Sequence, residues 1–143
     1  MFQPMVNCRG RDQKRILIGS FQPILKHPIF SKVFIKRFLE NKLQNGNILF
    51  VTSERGTFVD DLPYGLTKAA LNSLVQGFDK GIRVNTVAPG ITATDLVGLS
   101  ESDNLYNSKQ LNNRVYLAGE IAEVACFLVS ETSNCMTGQI VCN

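Results

Sequence analysis

Runs of apolar residues alternate with longer, periodic apolar stretches along this chain. Ile48-Leu49-Phe50-Val51 is continuous, apolar and partly β-branched. Such a run suits a strand buried on both faces of a parallel sheet, here spanning 47–53 and ending at Thr52-Ser53. Ile82 to Val87 predicts a second buried strand over 82–88, closed by Ala88-Pro89-Gly90. Short strands are also predicted near 3–7 and 138–142. Between these lie helical patterns. Phe30, Val33, Phe34 and Phe38 recur at helical spacing within 28–44, and Asn45-Gly46 ends that stretch. Ala70, Leu71, Leu74 and Val75 form the apolar face of a helix over 63–79, and a further helix is predicted over 119–130. Strands alternating with helices predict an α/β fold, with a parallel sheet of about four strands and right-handed crossovers.

The candidate chemistry starts at Tyr64-Gly65-Leu66-Thr67-Lys68. In a helix, side chains at i and i+4 leave the same face one turn apart. A lysine ammonium beside a phenol favours the phenolate, so the phenol can exchange a proton near neutral pH. Taken alone, Tyr-x-x-x-Lys matches by chance often. Its neighbours give it weight. Ser53 stands at the end of the preceding strand, with Gly56 three residues on. The next strand ends in Pro89-Gly90-Ile91-Thr92-Ala93-Thr94.

This order of strand, serine, Tyr/Lys helix, strand and Pro-Gly turn resembles the catalytic half of the short-chain dehydrogenase/reductase family. Glu120 to Ser130 resembles the family's penultimate helix, and Met136-Thr137-Gly138-Gln139-Ile140-Val141 its last strand. The resemblance implies a partial Rossmann-like, doubly wound fold that uses NAD or NADP to move a hydride to or from a carbonyl or alcohol. It implies that Ser53, Tyr64 and Lys68 are catalytic. Tyr64 would be the general acid or base, Lys68 would tune it and hold the nicotinamide ribose, and Ser53 would steady the substrate oxygen. Tyr64, Lys68, Pro89, Gly90, Thr92 and Thr94 would contact the cofactor. No metal is implied.

The chain also departs from the family. No G-x-x-x-G-x-G or G-x-G-x-x-G occurs among its eleven glycines, so the turn that cradles the pyrophosphate is absent from these 143 residues. The expectation is one N-terminally incomplete domain over 1–143, with residues 1–46 divergent and 47–143 family-like. Met5-Val6-Asn7-Cys8-Arg9-Gly10 weakly resembles the family's strand that ends in N-N-A-G. The asparagine that the family places in the following helix has no counterpart, because no Asn occurs between Gly10 and Glu40. That helix is where the family dimerises, which implies a homo-oligomer. The stretch Gln76 to Gly81 is shorter than the family's and reads as a trimmed helix end. An alternative to an enzyme is therefore a catalytically silent family fragment, acting as an interaction or oligomerisation module.

Composition narrows the remaining classes. The net charge is +3, with 44% hydrophobic residues, which suits a globular protein, and the resemblance implies a small-molecule substrate. Residues 1–42 hold nine Lys or Arg against two Asp or Glu, but Arg9, Arg11, Lys14 and Arg15 lack interleaved aromatics for base stacking. Nucleic acid is therefore a poor fit, and no run is apolar enough for a membrane span. Cys8, Cys126, Cys135 and Cys142 show no metal-binding spacing and read as reduced thiols, which suggests a cytoplasmic setting. His27 precedes Pro28 and has no catalytic partner in sequence. The polar stretch over 91–119 lies where the resemblance implies the family's substrate lid, with Ile91, Leu96, Val97, Leu99, Leu105 and Tyr106 as a candidate apolar wall.

Overall fold

The computed structural model describes residues 15–18, 33, 36–37, 40–41, 46–77, 81–95, 97–110 and 112–142. Four strands form one parallel sheet: β1 (Arg15–Ile18), β2 (Asn47–Val51), β3 (Arg83–Ala88) and β4 (Ile140–Cys142), in the order β1-β2-β3-β4. The strand at Arg15–Ile18 was not anticipated. The predicted strand near 3–7 lies outside the described residues, as does most of the predicted helix over 28–44. Val33, Lys36, Arg37 and Glu40 are helical. Helix α1 (Pro63–Gln76) follows β2, and helix α2 (Ala118–Val129) follows β3. Pro63 supplies a preset φ where the first backbone N–H needs no partner.

The near-continuous apolar runs are explained by helices on both faces of the sheet. Ile48, Phe50 and Val84 pack with Leu71, Val75 and Ile82 on the α1 side. Leu49 and Val87 pack with Leu128 and Val129 on the α2 side. Alternate residues of β2 thus feed opposite clusters, as a period of two requires. Burial of each large apolar side chain contributes about 1.5–3 kcal/mol.

This arrangement corrects one expectation. Both crossovers step the same way along the sheet, yet their helices lie on opposite faces. The crossovers β2-α1-β3 and β3-α2-β4 therefore have opposite hands. The right-handed rule rests on a helix folding straight back onto its own strand. The long segment 89–117 between β3 and α2 lets the chain reach the other face first.

Polar groups on the strands fasten the elements together. Asn85 is fully buried; its amide donates to the Met136 carbonyl, and its oxygen accepts from Gln139 N–H, which sets the entry to β4. Gly138 sits there at φ 70, in the left-handed region that favours glycine. Arg83 donates to the carbonyls of Leu128, Ser130 and Ser133 and to the Ser133 hydroxyl. It therefore places a cation at the carbonyl end of α2, where the helix dipole favours one. Arg83→Ala should lower unfolding free energy by about 2 kcal/mol, from lost charge-assisted hydrogen bonds. Arg83→Lys should recover only part, because an ammonium cannot span the same acceptors. Urea unfolding at constant m reads both. Cys126 is disulfide-bonded, against the expectation of a reduced core thiol, whereas Cys135 and Cys142 are free.

Candidate active site

Ser53, Pro89 and Gly90 lie at the carboxyl ends of β2 and β3, where open parallel sheets place their ligands. Ser53 caps a short 3-10 turn, Glu54–Gly56, its hydroxyl accepting from Arg55 N–H at 3.3 Å. Glu54 N–H donates to the Pro89 carbonyl at 3.0 Å, and Thr52 N–H to the Val87 carbonyl at 2.9 Å. These bonds lock the serine turn to the Pro-Gly turn.

The same 3-10 turn is pressed onto α1. A Cβ on Gly56 would stand 2.7 Å from the Lys68 carbonyl carbon and 2.8 Å from Ala69 N. Only glycine lets the turn approach so closely. Asn72 adds a hydrogen bond from its amide to the Gly56 carbonyl at 3.1 Å. The loop from Gly56 to α1 is held by Arg55, whose Nε and Nη2 donate to the two carboxylate oxygens of Asp60. That guanidinium, with the Leu62 N–H, holds the Asp60 carboxyl down at about 2. Gly65 makes room for the Asp60 side chain on the first turn of α1.

Tyr64 and Lys68 share one face of α1, as their spacing predicts. Their depths differ. Lys68 is 2% exposed and Tyr64 is 39% exposed. The Lys68 ammonium lies 5.1 Å from the centre of the Tyr64 ring, within cation–π range. Tyr64 is thus presented outward with the amine buried at its side. Desolvation pushes the Lys68 ammonium down to about 8. An unfolded lysine titrates near 10.5, so between these values the unfolded chain binds the extra proton. Stability should therefore rise with pH from about 8 to about 10.5 through this residue. Thermal unfolding across that window should show a rise that Lys68→Met lacks; an identical pH profile for the two proteins would contradict it.

The remaining predicted contacts line the exit from β3. Thr92 Oγ1 donates to the Gly90 carbonyl at 3.1 Å, and Thr94 is half-buried two residues on. Ile91 and Ala93 are stapled to Tyr116, through Tyr116 N–H to the Ile91 carbonyl and Ala93 N–H to the Tyr116 carbonyl. The segment 91–117 therefore leaves and returns at the same point. Of the candidate apolar wall, Ile91, Val97 and Tyr106 are exposed and Leu99 and Leu105 half-buried, while Leu96 lies outside the described residues. Three participants were not foreseen. Gly90 is overlain by Gln110, Glu54 and Tyr116. Gln110 lies far along the chain in a polar stretch with no periodicity, so nothing in the sequence marked it. Among the described residues no group of His, Cys, Asp and Glu is gathered to hold a metal, and no helix is long and apolar enough to cross a membrane.

The gathered elements fit a nicotinamide group. Gly90, Thr92 and Thr94 follow the end of β3, Lys68 is buried on α1, and any side chain on Gly90 would meet Gln110, Glu54 and Tyr116 within about 3 Å. The family model described as Enoyl-(Acyl carrier protein) reductase matches residues 30–143. The short-chain dehydrogenase/reductase SDRA of Arabidopsis thaliana is 32% identical over 120 residues, covering 76% of this chain and 47% of that protein. Among solved structures, 4-hydroxyisoleucine dehydrogenase complexed with NADH aligns at a TM-score of 0.72 and 26% identity, over 83% of this chain and 54% of that one. ElxO with NADP bound aligns at 0.60 and 28%, over 78% and 49%. The chain spans about half the length of the relatives it matches.

Proposed function

The chain belongs to the short-chain dehydrogenase/reductase family, and from that premise we propose that it serves an NAD(P)-dependent oxidoreductase acting on a small carbonyl or alcohol. The observation that carries this reading is the buried Lys68 amine beside an outward-facing Tyr64, on a helix clamped to the Ser53 turn. Bound nicotinamide supplies or accepts the hydride. The protein's own residues bind, orient and handle protons. The Tyr64 phenol oxygen gives a proton to the nascent alkoxide in reduction and takes it back in oxidation. Lys68, buried at the tyrosine's side, meets the nicotinamide ribose. Ser53 donates a hydrogen bond to the substrate oxygen as charge develops there. Pro89, Gly90, Thr92 and Thr94 hold the nicotinamide end. Domain 1–143 and a homo-oligomer belong to the same proposal, whereas the disulfide at Cys126 removes the reduced thiols on which a cytoplasmic setting was expected.

Thr94→Ala and Thr92→Ala should each weaken nicotinamide binding, by about 1 kcal/mol for a neutral hydrogen bond. Nicotinamide absorbance, followed as simple ketones are added, tests the activity. Turnover with one of the two cofactors supports the reading, and none with either cofactor across aliphatic, cyclic and aryl ketones contradicts it.

A further inference from the structure

Tyr64 is only the second residue of α1, in the turn where a helix frays. The residue before the helix, Leu62, has no side-chain oxygen to cap that turn, and none of its free N–H groups is capped from there. On the oxidoreductase reading above, we propose that Arg55 and Asp60 hold the turn instead, as a pair of positioning residues that fix Tyr64 relative to the Ser53 hydroxyl.

A continuous set of bonds joins the two. The Arg55 N–H donates to Ser53 Oγ at 3.3 Å. That bond occupies a lone pair of the hydroxyl and leaves its proton to be donated to substrate. The side chain of the same arginine reaches the other way. Its Nε donates to Asp60 Oδ2 at 2.5 Å and its Nη2 to Asp60 Oδ1 at 2.8 Å. Two parallel bonds fix orientation as well as distance. Asp60 Oδ1 also accepts from the Leu62 N–H at 3.0 Å, so the carboxylate caps the start of α1 from outside. A negative charge suits that end of the helix dipole.

The seat of this carboxylate is Gly65, the neighbour of Tyr64. A Cβ on Gly65 would stand 2.5 Å from Asp60 Cβ and would overlap the carboxylate itself. The Asp60 side chain is 2% exposed, whereas Phe58, Val59 and Leu62 around it are all exposed. The polar clip, and not apolar packing by those side chains, therefore anchors the loop. The Arg55 side chain is 41% exposed, so water screens the pair and it adds little to global stability. What it controls is geometry. Ser53 and Tyr64 address one substrate oxygen from two separate elements, and a displacement of about 1 Å can cost about 10²-fold in rate.

Asp60→Asn and Arg55→Gln test the pair in the 143-residue chain. Each breaks the two-point pairing while keeping a polar side chain of similar size. Each should lower kcat for cyclohexanone or acetophenone reduction about tenfold or more, with cofactor KM and the unfolding midpoint nearly unchanged. In a Ser53→Ala background the same substitutions should change the residual turnover by less than about threefold, because they act by placing that hydroxyl against Tyr64. Amide hydrogen exchange at Leu62 should quicken in both variants, including Arg55→Gln, which leaves the carboxylate in place. Equal losses with and without Ser53, or unchanged Leu62 exchange in Arg55→Gln, would overturn the proposal. Wild-type turnover that neither variant lowers would overturn it and leave the oxidoreductase reading standing. Quickened Leu62 exchange in both variants, with no turnover of any ketone by the wild type, would uphold the clip and count against that reading.

Discussion

Replacing Tyr64 by phenylalanine should lower turnover by about 10²- to 10⁴-fold, the range for losing a positioned acid–base group. The ring would stay, so its contact with Lys68 and the packing of α1 would persist. Only the phenolic oxygen is removed. Cofactor affinity should accordingly change little, and the unfolding free energy should change by less than about 0.5 kcal/mol, as for a surface substitution. Steady-state kinetics separates the outcomes. A fall confined to the chemical step supports the assigned role, whereas unchanged turnover removes Tyr64 from the mechanism.

The second large effect is expected at Gly56, which touches neither proton nor substrate. Gly56→Ala would force a Cβ to within 2.7–2.8 Å of the α1 backbone at Lys68 and Ala69. Backbone of a helix cannot give way as a flexible side chain can. The 3-10 turn must shift instead. That should destabilise the fold by about 1–3 kcal/mol, as overpacking does. It should also move Ser53, which caps the same turn, and weaken the Asn72 bond to the Gly56 carbonyl. Thermal unfolding and turnover should therefore fall together. A variant with wild-type stability and activity would show that the close approach of turn and helix is not what sets the site.

The parts of the fold that could be read from sequence are those where one periodicity dominates. β2 and β3 are continuous apolar runs, and α1 and α2 carry apolar residues at helical spacing; all four form where the pattern put them, within a few residues. β1 was not read because Arg15–Ile18 is a short run flanked by basic and small residues, and its place is fixed by pairing with β2 rather than by local pattern. The opposite hands of the two crossovers were also hidden, because handedness depends on which face each helix covers. Sequence order says nothing about that.

At the site, spacing correctly puts Tyr64 and Lys68 on one face but does not say how deep each lies. The structure buries the charged residue and exposes the aromatic one, the reverse of their solvent preferences. That inversion supports the proposed site. Glu54 and Gln110 lay out of reach of sequence reasoning for a different reason. Their contact closes a loop between distant segments and leaves no local trace.

The central claim is that these strand ends receive a nicotinamide cofactor. Equilibrium titration of the 143-residue chain with NADH and NADPH, followed by nicotinamide fluorescence, tests it most directly. Binding of one of them with a Kd below about 1 mM, equivalent to about 4 kcal/mol, weakened by substitution at Thr94 or Lys68, is the predicted result. No saturable binding of either cofactor would contradict the account.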